Sequence, residues 1–192
     1  PRIYTSFDYA VFDEIHNIND RISYENIIKI IQCNFIALSA TLENIQRNKS
    51  AVINRVDDVR VFAGCLTGHK DWPLLPTEKI KDHRLEVALS HLELGLERFE
   101  DDELRPRFYC KQLIEINHKP FQGFSRAQSA VLEAAILVSR LHMLTREKID
   151  QEVEYLAIAI DKTAGKNEKV AWEWLMERIK QYRQVSTQEK TV

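Results

Sequence analysis

One stretch constrains the fold of this chain more than any other. In Phe121–Leu144, apolar residues recur at three- and four-residue intervals: Ala127, Ala130, Val131, Ala134, Leu137, Val138, Leu141 and Leu144. That is the stripe of one long amphipathic helix. Gly123 breaks the run before it, and Ser125 with Gln128 three residues later has capping-box spacing. The alanines at 127, 130, 134 and 135 allow another element to approach the helix backbone closely. Arg126, Glu133 and Arg140 recur every seven residues and share a face, read as solvated. Thr145 caps a second helix with Ile149, Val153, Leu156 and Ile160 inward, and Gly165 suits its left-handed C′ position. Asn167 opens a third, with Val170, Ala171, Trp174, Leu175, Ile179 and Tyr182 as its inner face. Residues 121–185 thus predict a helical unit, with 186–192 a polar tail.

The chain has 192 residues, 44% hydrophobic and 29% charged, with net charge −2. This is the balance of an ordinary globular protein with a real core. The near-neutral charge gives no electrostatic footprint for nucleic acid, so a nucleic-acid partner is not expected. Cys33, Cys65 and Cys110 are scattered and fit neither a zinc pattern nor a disulfide framework. They point to a reducing, cytoplasmic setting. No run is long enough to span a membrane. The sequence opens on Pro1 without methionine and reads as a fragment or processed product.

In the middle, Ser50–Val56 reads as a strand and Asp57-Asp58 as a turn, after which Val59–Ala63 is apolar again. Gly64–Pro76, with two glycines and two prolines, reads as an irregular connection anchored by Trp72. Leu85, Val87 and Leu89 alternate, and Leu92, Leu94 and Leu96 alternate with the parity slipped by one. This fits a strand pair, or one strand with a bulge at Ser90-His91; a helix template also fits. Glu100–Glu103 reads as a solvated tip. Phe108, Cys110, Ile114 and Ile116 supply the return strand of a hairpin.

The first forty residues differ in character. Phe7–Phe12 and Phe35–Leu38 are short buried-strand runs, with a helical pattern at Tyr24, Ile27, Ile28 and Ile31 between them. Strand, helix, strand is half of a parallel α/β unit. The first strand ends in Asp13-Glu14-Ile15-His16 and the second in Ser39-Ala40-Thr41. These resemble the second and third motifs of superfamily-2 helicases of the DExH type. The resemblance implies that Asp13 holds magnesium, Glu14 polarises the attacking water and His16 contacts the coupling motif at Ser39 and Thr41. Gly165-Lys166 is followed by Asn167 and lacks a glycine five residues earlier, so it is no phosphate loop. Mg-ATP therefore enters only if the helicase alternative holds, and hydrolysis is not expected.

A second resemblance covers about three quarters of the chain. Asn44–Gly68 (NIQRNKSAVINRVDDVRVFAGCLTG), Asn117–Leu144 (with HKPFQGFSRAQ) and Asp161–Ile179 (with DKTAG and AWEWLMERI) carry it. They resemble an uncharacterised flavoprotein-like family of methanogens, planctomycetes and methylotrophs, with an FMN-binding split β-barrel and a helical domain. The resemblance implies FMN as cofactor, a homodimer with flavin at the subunit interface, and a link to tetrahydromethanopterin-dependent one-carbon metabolism. The fold expected is α+β. A helicase-like α/β fragment (1–42) precedes partial split-barrel strands (43–120) and a three-helix unit (121–185). Asn44 matches the end of the family's phosphate-holding segment, so Asn44, Arg47, Asn48 and Lys49 are cofactor candidates. His118 and Lys119, with Ser125 and Arg126 at the N-terminus of the helix that follows, are the other candidate cofactor contacts, suited to an anion. Helicase-like sequence stands where the family's opening strands belong. The chain then reads as a chimera joined near Ser39–Asn44, binding FMN weakly or not at all. The alternatives are a fragment of an ATP-dependent helicase and a non-catalytic interaction module.

Overall fold

The computed structural model of the chain describes residues 4–6, 9–11, 36–38, 42–101 and 107–188. It divides into two compact units, one running to Asp57 and resuming over Trp72–Phe121, the other comprising Asp58–Asp71 and the chain from Gln122.

The first unit holds strands β1 (Tyr4–Ser6), β2 (Tyr9–Val11), β3 (Ile36–Leu38), β4 (Ser50–Arg55), β5 (Leu74–Pro76), β6 (His83–Leu85), β7 (Ser90–Glu100) and β8 (Arg107–Asn117). Helix α1 (Leu42–Asn48) precedes β4. Six strands form one sheet in the order β1-β2-β8-β7-β4-β3, and β5 with β6 forms a separate ribbon. Every described pairing is antiparallel. The sheet is open among the described residues, with β1 and β3 at its edges, an arrangement consistent with a partial split barrel.

The β7–β8 hairpin forms as its alternation predicts. Leu92, Leu94, Phe108 and Cys110 turn to one face and meet Ala51 and Ile53 of β4 and Ile45 of α1. Leu96 and Phe99 pack against this cluster, and the Phe99 and Phe108 rings lie 4.8 Å apart. The opposite face of β4 and β7 is buried too, and there it is polar: Asn54, His91 and Glu93 are each at most 1% exposed.

Several expectations change. The parity slip is a break between two strands. β6 ends at Leu85, a turn follows, and β7 opens at Ser90, so the register shifts fall at Glu93/Leu94 and Leu96/Arg98 and not at Ser90-His91. β6 pairs with β5 instead of β7. β2 and β3, the two apolar runs of the first forty residues, lie on opposite sides of β8, β7 and β4. They are not neighbours, so the parallel unit is not formed between them. The helix expected around Tyr24–Ile31 lies outside the described residues.

The second unit is helical: α2 (Arg60–Thr67), α3 (Arg126–Ser139), a 3-10 turn (Leu141–Met143), α4 (Arg146–Thr163) and α5 (Lys166–Gln188). The Ser125–Gln128 capping box is present, with the Ser125 N–H donating to Gln128 Oε1 at 2.9 Å. Seven α3 residues are buried, including all four alanines, whereas Arg126, Glu133 and Arg140 are exposed. The stripe is thus core and the charged row is solvated. Thr145 caps α4, accepting from the Lys148 N–H at 3.3 Å.

The α4–α5 junction differs from expectation. Ala164 closes α4 in extended backbone, and Gly165 is not left-handed. Glu168 Oε2 accepts the Gly165 N–H at 2.9 Å, and the Gly165 carbonyl accepts the Lys169 N–H. Gly165 therefore starts α5, displacing Asn167 from that role. Of the Val59–Ala63 run and Gly64, given to no helix by the sequence, Val59 is the N-cap of α2 and the rest belong to it, and Gly68 closes it at φ 88°. Beyond it, the exposed His69 ring stacks on Trp174 at 4.1 Å.

Gly64 is where close approach decides. A Cβ there would lie 2.3 Å from the His69 carbonyl oxygen. Helix propensity alone would favour alanine by about 1 kcal/mol. We expect the clash to win, with Gly64→Ala costing about 1–3 kcal/mol in urea unfolding, as overpacking does; a variant more stable than the parent would refute this. Ala134→Trp should cost a similar ~1–3 kcal/mol or more, since Ala134 has no exposed surface. Unchanged denaturation midpoints for that variant would show that α3 has room that its burial denies.

Candidate functional site

The structure separates the residues that the sequence proposed together. Asp13, Glu14, His16, Ser39 and Thr41 lie outside the described residues. Asn44 and Arg47 fall on α1, and Lys49 is the residue between α1 and β4. Lys49 has φ 56°, the one positive φ among the described non-glycine residues. Its carbonyl accepts the Leu96 N–H at 2.8 Å, which fixes the corner, while the Arg47 and Lys49 side chains are exposed. His118 and Lys119 directly follow β8, and both of their backbone N–H groups donate to the Leu89 carbonyl, at 2.7 and 3.1 Å.

Register fixes how far apart these groups stand. Ser50 lies opposite Gly95, and Ser90 lies opposite Asn117. The stretch of β7 from Ser90 to Gly95 therefore separates them, roughly 16 Å at strand rise. Arg47 and Lys49 cannot share one small anion with His118 and Lys119. Ser125 and Arg126 belong to the other unit, where Ser125 caps α3 and Arg126 is exposed.

At the His118 end, strand periodicity assembles a buried polar cluster. His91 and Glu93 are two residues apart on β7 and so share a face, opposite Asn54 and Val52 of β4. Glu93 has no exposed surface, and its carboxylate is met by a turn. Oε1 accepts the Glu78 N–H at 2.6 Å, and Oε2 accepts those of Lys79 and Ile80 at 2.7 and 3.0 Å. Thr77 closes that turn, its hydroxyl donating to the Ile80 and Asp82 carbonyls. Asn54 Oδ1 accepts the Leu85 N–H at 2.9 Å, holding β6 against the same face. His91 Nε2 lies 3.1 Å from Glu93 Oε1, and His91 Nδ1 lies 2.8 Å from His118 Nε2. The two ring planes are 7° apart with centroids 5.0 Å apart. With so short a nitrogen–nitrogen distance, the rings meet edge to edge, nitrogen pointing at nitrogen.

The charge states follow from the donors. Burial alone would push the Glu93 carboxyl up. The N–H groups of Glu78 and Lys79, the His91 ring and the Ile80 N–H outweigh it and hold the group below the ordinary carboxyl value. Glu93 is thus a carboxylate that accepts only, so His91 Nε2 carries a proton. One proton then serves the His91–His118 contact, and His118 presents Nδ1 outward. Burial, with the positive charges of Arg84 and Lys119 and the adjoining His91 ring, holds His118 below the ordinary imidazole value, against a smaller opposing effect of Glu78. Neutral His118 is the resting form near neutral pH. The arrangement orients an imidazole through a second imidazole and a carboxylate.

Sequence reading named His118 but missed His91 and Glu93. Their signal was the alternation His91-Leu92-Glu93-Leu94, whose polar members share a face; the misplaced bulge at Ser90-His91 obscured it. The turn at Glu78–Ile80 contributes only backbone and carries no side-chain signal.

Among the described residues, no group of three or more His, Cys, Asp or Glu side chains could hold a metal ion. No described helix is long and apolar enough to cross a membrane.

Comparisons with known proteins bear on the fold and the family. No curated protein matches the chain. The crystal structure of the FMN-bound protein MM1853 from Methanosarcina mazei, of the DUF447 family model, superposes with a TM-score of 0.59. The two are 19% identical, over 71% of this chain and 74% of that chain, which is a likeness of fold. Streptomyces globisporus C-1027 NADH:FAD oxidoreductase SgcE6 gives a TM-score of 0.36 at 8% identity, over 57% and 58%, too remote to carry an argument. The model of the protein of unknown function (DUF447) N-terminal domain matches residues 36–119, taking in Ser39–Thr41. Its C-terminal companion, protein of unknown function (DUF447), matches residues 125–177. The two matches together cover more than half of the chain, in order, and the chain belongs to the DUF447 family.

Proposed function

We propose that this chain is an FMN-binding flavoprotein. The observation that supports it is that the solved protein of the same family model, similar in fold over most of both chains, is FMN-bound. The sheet unit is where the flavin sits in this reading. Arg47 and Lys49 fit its phosphate, for two exposed cations stand one residue apart at a corner whose backbone is fixed by the Lys49–Leu96 bond. A left-handed lysine also suits a functional role, because such backbone costs free energy and persists where its surroundings enforce it. Asn48 directly precedes the corner, and Asn44 lies earlier on α1. His118 and Lys119 lie too far along β7 to share that phosphate. When bound, FMN supplies electron-transfer chemistry; Arg47 and Lys49 hold its phosphate by charge-assisted hydrogen bonds. The wider reading keeps a homodimer with flavin at the subunit interface and a role in tetrahydromethanopterin-linked one-carbon metabolism, both implied by family resemblance.

A fluorescence titration of FMN against the whole chain tests this. Saturable quenching is expected, in place of the weak or absent binding that a chimeric opening implies, because the family match runs from residue 36; no change up to high protein concentration would overturn the reading. Lys49→Gly separates cofactor from fold. Relief of the left-handed backbone should raise stability by up to about 1 kcal/mol. Loss of a bond to a charged phosphate, worth about 1.5–3 kcal/mol, should weaken FMN at least roughly tenfold. Unchanged affinity in both Lys49→Gly and Arg47→Gln would remove the phosphate from this corner.

A further inference from the structure

We infer that His118 is the proton-accepting residue of a site for an anionic substrate, with His91 and Glu93 as its positioning residues. The inference is independent of flavin binding.

Three observations carry it. First, the chain Glu93–His91–His118 is continuous, with contacts of 3.1 and 2.8 Å, and its inner two members are at most 1% exposed. Second, backbone groups hold both ends of the chain independently of the His91–His118 contact. The three backbone donors from Glu78, Lys79 and Ile80 already hold the Glu93 carboxylate, and the Leu89 carbonyl holds the chain at His118 and Lys119. Third, the chain of contacts ends on an open nitrogen. His118 is half-buried, and its Nδ1 makes no hydrogen bond among the described residues. Around it, Arg84 and Lys119 supply positive charge and Glu78 a weaker negative one. A substrate that loses a proton there becomes more negative beside two cations, which favours an anion bearing a weakly acidic hydrogen.

The step balances without a further reagent. The substrate's bond to hydrogen breaks, leaving its electron pair on the substrate, and a new N–H bond forms at His118 Nδ1. The His118 Nε2 proton passes to His91 Nδ1. His91 becomes an imidazolium whose Nε2–H already faces the Glu93 carboxylate. The net result is a substrate anion outside and a paired positive charge inside, placed where burial is compensated.

Diethyl pyrocarbonate, which acylates neutral imidazole, reads this directly on the whole chain. At a pH above the ordinary imidazole value, charge differences among the histidines vanish and the rate reports nucleophilicity. Site-resolved mass spectrometry should find His118 acylated about tenfold faster than the exposed His83 and His142, despite its partial burial. Reaction no faster than theirs would overturn the inference. His91→Gln distinguishes a relay from a strut. Its amide can donate to Glu93 and accept from His118, preserving the contacts, but it cannot take on the proton. The variant should keep the thermal midpoint and lose the tenfold advantage of His118; a retained advantage would overturn the relay. If that variant fails to fold, the wild-type ranking alone decides. Inorganic phosphate should protect His118 from the reagent, and the protection should disappear in a variant carrying Arg84→Gln and Lys119→Gln. No protection in the wild type would overturn the anionic substrate.

Discussion

A carboxylate with no exposed surface is the constraint around which the sheet unit is built. An isolated buried Glu93 would cost several kcal/mol, and the fold answers with three backbone N–H groups and one imidazole. That answer determines more than its own region. It fixes the turn between β5 and β6, which packs against the polar face of β4 and β7. It sets the tautomer of His91, and through His91 the orientation of His118. Asn54 acts alongside it, engaging β6 from the neighbouring strand.

The sheet therefore has two faces of different kinds. One is the apolar cluster around Leu94 and Phe108, held by burial and ring packing. The other is polar and depends on geometry, since each buried group there must meet its partner or lose its solvation. Volume-conserving apolar exchanges are tolerated on the first face. On the second, even the change from carboxylate to amide alters which atoms can accept. Such a face is also where chemistry can be placed, because its groups are fixed and its charges are known.

The β7 ladder spreads the candidate residues over its length. Arg47 and Lys49 stand by Gly95, and His118 and Lys119 stand by Ser90. A cofactor phosphate and a proton acceptor at opposite ends of one strand are compatible only as separate sites or as the ends of one extended site. The left-handed Lys49 and the edge-to-edge histidines are the most constrained features of the two ends.

Local chemistry was legible wherever it is decided within a few residues. The Ser125–Gln128 capping box, the Thr145 cap, the α3 stripe and the β7–β8 hairpin all follow from spacing alone. Where two local solutions compete, spacing was insufficient. Gly165 fits a C′ position or the start of the next helix, and Glu168 chose the second by accepting its N–H. The parity slip around Val87–Ser90 fits a bulge or a break, and the pairing of β6 with β5 chose the break. The sequence by itself determined the mixed composition of strands and helices and the anchors of the helical unit, because propensity, capping and periodicity act through near neighbours. Only the tertiary structure decided that Glu93 is buried and satisfied, that His91 joins it to His118, and that Lys49 stands far from both. The first two relations link residues up to 27 apart, and all three run through strand register and turn backbone, neither of which a side-chain pattern records.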